Sequence, residues 1–466
     1  MKNGSIEFET IKSHKNRLYF LCGIVCVVVL LVVFVVTRSH AKYRTTESIP
    51  LINGTINYTP YDLKMVAMYQ EENGDYKSID TVPTSGYILN EEKSYCEVND
   101  NKDESISMEY KDGKVYIGVS KKGTKCYLYF DVQTTKKVDT ILGQIDVNLD
   151  TPDFSKTAQA SCSDTSKCEE TNGIYESVDD NGATYYFRGA VTNNWVSFAG
   201  YYWRIIRING DGSIRMIYNG TSTATTGTTT MINNGANQAF NSSYNRSEYV
   251  GYMYTSGQQH GNTTSSSIKT VIDNWYSSNL AKYADQISKE AGFCGDREMA
   301  SGYSWSTISN STIYYAGYAR LINNKVPTLK CSNSSDLYTV SGSSKGNKAL
   351  SNPVGLITAD EVAMAGGVHG QNNSSYYLYT GEYYWTMSPG GAYYDTDNNA
   401  KFWADVLTVG SKGEPGSWSV LNSIHGVRPV INIANNVTIS SGDGTSSNPY
   451  TIMESHMSGG DDSDNS

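Results

Sequence analysis

Charge is scarce in this chain. Asp, Glu, Lys and Arg make up 18% of its 466 residues, against about a quarter in an ordinary soluble protein. What charge there is leans negative, 47 acidic residues against 37 basic, for a formal net charge of -10. A protein that neutralises phosphates needs a basic face, so this balance argues against nucleic acid as a partner. Phenylalanine is sparse, 10 residues where tyrosine has 37. Histidine numbers only 6, dispersed along the chain, and no Cys-x-x-Cys occurs. Zinc is therefore left without its usual ligand spacing. The mean hydropathy of -0.43 excludes a multi-span membrane protein. Disorder is opposed by the many Tyr and Trp residues, because disordered chains are poor in aromatics. With 42 glycines and abundant Ser, Thr and Asn, the composition fits extracellular β-rich domains with long polar loops.

Apolar runs are limited to one, Leu18 to Val36, which is uncharged throughout. About 20 apolar residues cross a bilayer as a helix. Lys12, Lys15 and Arg17 precede it and Arg38, Lys42 and Arg44 follow it, so flanking charge does not decide orientation. The run is too long for the apolar core of a cleaved signal peptide, and no small-x-small site follows it. The expectation is an uncleaved single-pass anchor. It places a cytoplasmic tail at 1–17, a transmembrane helix at 18–37 and all later domains outside the cell membrane.

Cys22 and Cys26 lie within that run, and six cysteines follow it: Cys96, Cys126, Cys162, Cys168, Cys294 and Cys331. An even number outside the membrane suits disulfides in an oxidising compartment. Nearest-neighbour pairing, 96–126, 162–168 and 294–331, keeps each bridge within one structural unit.

Residues 45–136 read as a small β domain. Val115 and Ile117 alternate with polar or small neighbours, as do Cys126, Leu128 and Phe130. Period two marks a strand with one buried face. A bridge between the Cys96 and Cys126 segments would staple an immunoglobulin-like sandwich, although no Trp lies between the cysteines. Residues 137–170 read as a polar linker. A larger unit covers 171–452. Within it, Asn209-Gly210-Asp211-Gly212 between two β-rich runs predicts a hairpin. Ile268, Val271, Ile272, Trp275 and Tyr276 form one helical stripe. Thr358 with Glu361 three residues on is a capping box, and Gly366-Gly367 ends that helix. Residues 453–466 read as a disordered acidic tail.

Several segments carry a family resemblance. TMSPGG (386–391) and GVRPVINI (426–433) resemble the closing strands of C-type-lectin-like domains. More narrowly, they resemble bacterial surface domains related to the formylglycine-generating fold. FAGYYWRIIRINGDGSIRMIYNG (198–220), IDNWYSSNL (272–280), FCGDR (293–297) and GLITADEVAMAGG (355–367) are similar to segments of anchored surface proteins from Gram-positive-type gut bacteria. GTKCYLYFD (123–131) resembles their membrane-proximal β domain. The resemblance implies an α+β fold class: two helices, a small twisted antiparallel sheet and long disulfide-held loops displaying a binding surface.

Chemistry finds little support in the motifs. Formylglycine-generating chemistry needs reactive cysteines in the C-terminal core, and the last cysteine is Cys331. The calcium-dependent sugar motifs of C-type lectins would fall at Glu414-Pro415-Gly416 and Trp403-Ala404-Asp405, where Gly416 and Ala404 lack the ligand oxygens. Asp395, Asp397 and Asn399 have calcium-loop spacing, but Ala400 and Val406 stand where that loop needs Gly and Glu. No cofactor is expected, calcium being the one candidate. Gly342-Ser343-Ser344-Lys345-Gly346 matches G-x-S-x-G only as a loop string, without the strand and helix of a nucleophile elbow. The positive signal is aromatic. Tyr383, Tyr393, Tyr394, Trp403 and Trp418, with Asn398 and Asn399, form the expected ligand surface, because Tyr and Trp bind adaptably at low entropic cost. The sequence reading is a membrane-anchored surface protein, not an enzyme, binding an extracellular protein or glycan. The alternatives are an extracytoplasmic hydrolase or modifier, and a structural envelope component.

Overall fold

A computed structural model describes residues 63–453, apart from 72–73, 84–85, 112, 119–120 and 397–400. The expected tail at 1–17, the spanning helix at 18–37 and the acidic tail after 453 lie outside the described residues. Among the described residues no helix is long and apolar enough to cross a membrane. The chain divides into two units, Met1–Gln133 and Thr134–Ser466.

The first unit is organised by the strand Thr124–Val132. Its Thr124, Cys126, Leu128 and Phe130 are buried while alternate residues are not, as period two requires. It pairs in parallel with Lys64–Gln70 and antiparallel with Tyr95–Val98 and Tyr87–Leu89. Tyr76–Ile79 and Asn101–Lys102 complete a six-stranded sheet. The hairpin Met108–Lys111 with Lys114–Ile117 pairs only with itself and rests Met108, Tyr110, Val115 and Ile117 on the same core. The disulfide Cys96–Cys126 forms, but the two residues are direct partners on neighbouring strands. It therefore fastens one sheet to itself and does not bridge two, which corrects the immunoglobulin-like sandwich expected here. Both cysteines do face inward; facing inward from one sheet satisfies the same alternation.

The second unit is built on a ten-stranded sheet. The expected hairpin forms: Tyr201–Ile208 pairs with Ile214–Tyr218, and Gly212 takes φ 84° in the turn, a conformation glycine adopts without steric cost. Ile214–Tyr218 then pairs with the closing strand Val430–Ile433. The residues expected as linker instead extend the sheet. Thr135–Thr140 and Gly143–Asn148 form an antiparallel pair, and Gly143–Asn148 joins Asn172–Asp179 in parallel. Their side chains alternate weakly because only Ile145 and Val147 are fully buried, with Val138 packed half-buried against the same core. The bridges Cys162–Cys168 and Cys294–Cys331 both form.

A separate four-stranded sheet lines up Ile313–Tyr314, Tyr384–Asp395, Lys401–Val409 and Pro415–Ser419 in that order. Two helices pack on these sheets. Helix α1, Ser267–Asn279, is capped by the Ser266 side chain and buries Ile268, Ile272 and Tyr276. Helix α2, Ala359–Ala365, starts with the Thr358–Glu361 capping box and stops at Gly366 with φ 120°. The α+β fold class is thereby overturned: strand accounts for 38% and helix for 13%. Both amphipathic segments fold as helices, but the long segments between them are held as strands and turns by neighbouring backbone.

Five arginines tie these segments together from inside. Arg188, Arg204, Arg215, Arg297 and Arg428 are all buried. Arg188 donates to the carbonyls of Ala363 and Met364 at the C-terminal end of α2 and to Glu169. Arg428 donates to Tyr218 O, Leu378 O and Asn219 Oδ1, a structural anchor just ahead of the closing strand Val430–Ile433.

Candidate functional site

The four-stranded sheet sorts the expected ligand residues onto different faces. Tyr393 and Trp403 are direct cross-strand partners, as are Gly391 and Asp405. Alternation puts all four on one face, together with Tyr314, which pairs with Gly391. The Tyr393 ring covers Gly391, whose missing side chain makes room: a Cβ there would sit 3.4 Å from Tyr393 Cε2. Tyr314 stacks on Tyr318 with centroids 4.3 Å apart and meets Tyr393 and Tyr303 edge-on at 5.6 and 5.4 Å. Tyr303 is 40% exposed, while Tyr314, Tyr318, Tyr393 and Trp403 are half-buried. The result is an aromatic platform of one stacked and two edge-on ring pairs, with Tyr303 as its exposed member.

Asp405 lies under this platform. It is 8% exposed, receives a 3.5 Å hydrogen bond from the Ser417 hydroxyl at Oδ2, and has no partner at Oδ1. Burial pushes its carboxyl up to about 7, against the lowering effect of Ser417. A carboxyl held near neutrality can either donate or accept a hydrogen bond.

Tyr383 and Trp418 belong elsewhere. They gather around His425 with ring centroids 5.3 and 5.8 Å from it, and His425 stacks on the buried Trp385 at 4.3 Å. His425 is fully buried and neither ring nitrogen has a partner. Burial pushes it down to about 3, so it is neutral and serves as an apolar ring in this packing. Trp418 is 38% exposed, with Leu421 and Ile424 exposed nearby in sequence. Tyr394 joins Ile313, Ala392 and Phe402 in a small apolar cluster, on the face away from Tyr393. Asn398 and Asn399 lie outside the described residues, as does part of the calcium-like segment. Among the described residues no group of three His, Cys, Asp or Glu side chains is arranged to hold a metal ion.

Of the residues expected to bind ligand, Tyr393 and Trp403 share one face, where Asp405, Tyr314 and Tyr318, not singled out from the sequence, join them. The signal for Asp405 was present: a lone carboxylate inside the strand Phe402-Trp403-Ala404-Asp405-Val406-Leu407.

A second polar centre was not foreseen. A cavity of about 350 Å³ opens beside Arg207, Arg215, Asp296, Arg320, Asp360 and Glu361. Glu361, also the capping residue of α2, meets Arg207 Nε at 3.1 Å and Arg215 Nε at 2.5 Å. Against the push of burial, these two guanidinium groups hold its carboxyl below the usual range. Arg207 also contacts Asp179 at 2.7 Å. Arg320 Nη2 contacts both Asp296 and Asp360 at 2.7 Å. The sequence showed Glu361 only as a cap residue, since its partners Arg207 and Arg215 come from strands more than a hundred residues away; Asp360 meets Arg320, 40 residues before it.

Comparison with known proteins finds no matching family model, no similar curated protein and no similar solved structure.

Proposed function

We propose that the chain is a membrane-anchored bacterial surface protein whose second unit binds an extracellular ligand, a glycan in preference to a protein, on the face carrying Tyr314, Tyr393 and Trp403. The observation that carries this reading is the half-buried aromatic platform with a buried, partly unpartnered carboxyl beneath it. Flat rings stack on the apolar faces of sugars, and Asp405 supplies a group that can serve a hydroxyl as donor or acceptor. Three disulfides support an oxidising, extracytoplasmic setting. The apolar run 18–36 supports the anchor. Display of the full chain on a glycan array, beside its Trp403→Ala variant, tests this. Reproducible binding that the variant loses supports the reading; a folded protein that binds no glycan on the array counts against it.

An extracytoplasmic enzyme is the second reading, favoured by one observation: Asp296 and Asp360 converge in an open cavity. Arg320 engages both, so neither stands free as a base. Turnover lost in Asp296→Asn with folding intact would support that reading.

A further inference from the structure

Among the described residues one lysine is buried: Lys269, at 1% exposure. It lies in the first turn of α1, where the helix dipole disfavours a cation. Its partner Asp273 follows four residues on, and an acidic residue on the C-terminal side of the lysine is the weaker order for such a pair. A buried ammonium regains its lost hydration only with good geometry and further partners. Here the further acceptor is Ser351 Oγ, at 3.4 Å. One wall of this place is dry. Tyr252 is fully buried and donates to the Val354 carbonyl; burial first, and then the Asp273 carboxylate, push its hydroxyl up. Lys269 is thus ill placed as a lasting charge and well placed as an amine.

The Asp273 carboxylate is shared. Lys269 Nζ donates to its Oδ2, and Asn352 Nδ2 donates to its Oδ1 at 3.0 Å. An amine and a carboxamide therefore flank one proton acceptor, and the carboxamide carbon is one bond from the nitrogen that Asp273 holds. Asn352 sits in a loop pinned on both sides by the buried Leu350 and Val354. Pro353 follows it. An asparagine ordinarily loses ammonia through attack by the next backbone nitrogen, and proline has no N–H. That route is closed at Asn352, and the amine across Asp273 is the nucleophile at hand.

We propose that Lys269 and Asn352 are joined through their side chains by an isopeptide bond, Nζ to Cγ, formed with Asp273 as the proton carrier. Asp273 takes a proton from the Lys269 ammonium and frees the Nζ lone pair. Nζ attacks Asn352 Cγ, and the carbonyl electron pair moves onto Oδ1. Asp273 delivers its proton to Nδ2, the electron pair returns from Oδ1, the Cγ–Nδ2 bond breaks and ammonia leaves. The second proton lost by Nζ passes to Asp273. An ammonium, a carboxylate and a carboxamide become an amide, a carboxylic acid and ammonia, with no oxidant or reductant and no change in net charge. The buried charge pair at the start of α1 disappears, and a covalent tie closes a loop that contains the Cys294–Cys331 bridge. None of the aromatic-platform residues takes part, so this bond and the proposed glycan face stand or fall separately.

Intact-mass spectrometry and peptide mapping of the full chain test the proposal. The expected mass is one ammonia below that of the disulfide-bonded sequence. After reduction and digestion, the peptide carrying Lys269 and the peptide carrying Asn352 are expected as one linked species. Asn352→Ala, at a half-buried loop position, and Asp273→Ala are each expected to restore the missing mass and to release the two peptides. Where Asp273→Ala prevents folding, Asn352→Ala and the wild-type map carry the test. A folded wild-type protein of full mass, or one whose Lys269 and Asn352 peptides separate on digestion, overturns the proposal. Ammonia loss that persists in Asn352→Ala overturns it equally.

Discussion

Asp405 makes the stability of the second unit depend on pH in a direction opposite to that of most carboxylates. In an unfolded chain an aspartate titrates near 3.9; in the folded protein burial lifts Asp405 to about 7. The groups facing it are the Ser417 hydroxyl and Tyr393. Among the described residues no Lys, Arg or His pairs with it. The native state therefore holds this proton more tightly than the unfolded state does. The stability contribution is fully present below about pH 4, falls as pH rises, and is lost above about pH 7. A gap of about three pKa units at about 1.4 kcal/mol each makes the loss about 4 kcal/mol. Asp405→Asn keeps the shape and removes the titration. Urea unfolding of wild type and variant at intervals from pH 4 to pH 8 reads the effect. All seven tryptophans lie beyond residue 134, so their fluorescence reports the second unit alone. Every other carboxylate is common to both proteins and cancels in the difference. The expected difference is constant below pH 4 and then moves in favour of the variant by about 4 kcal/mol as the pH reaches 8. Parallel stability curves over that range would refute the reasoning.

Three further outcomes follow from the packing of the second unit. Glu361→Gln leaves Arg207 and Arg215 without their shared buried counter-ion and is expected to cost about 3–5 kcal/mol by urea denaturation. Thr358→Ala removes one half of the capping box at the start of α2 and should cost about 1 kcal/mol in the same assay; no change would show that tertiary contacts alone fix that helix end. Replacing both Cys294 and Cys331 with Ser opens a bridge spanning 37 residues and is expected to lower stability by about 3–4 kcal/mol, read by urea denaturation of the variant beside wild type without reductant.

Local patterns in the chain were legible, and long-range partnerships were not. The hairpin around Gly212, the stripe of α1 and the cap of α2 each depend on residues a few positions apart, and each forms as the pattern predicts. The three bridges also follow from proximity along the chain. The membership of Thr135–Asn148 in the large sheet was hidden because its alternation is carried by few buried residues. The sandwich expected in the first unit failed because alternation shows that Cys96 and Cys126 face inward but not whether one sheet or two supplies them. At the aromatic face, Tyr393 and Trp403 stood out by residue type. Tyr314 and Tyr318 reach them only through the pairing of Ile313–Tyr314 with a strand some seventy residues later. The cavity assembles Arg207, Asp296, Arg320 and Asp360 from four separate segments, which no spacing rule connects.

The buried arginines carry one more consequence. Most of their hydrogen bonds end on main-chain oxygens: Arg188 on Ala363 and Met364, Arg204 on Val191, Arg215 on Leu356, Arg297 on Met253 and Gly261, Arg428 on Tyr218 and Leu378. Every residue type offers that same oxygen. The grip on the loops is therefore blind to their side chains. Side chains at these attachment points can change while the main-chain oxygens persist, so the scaffold can vary its outer surface without renegotiating its interior.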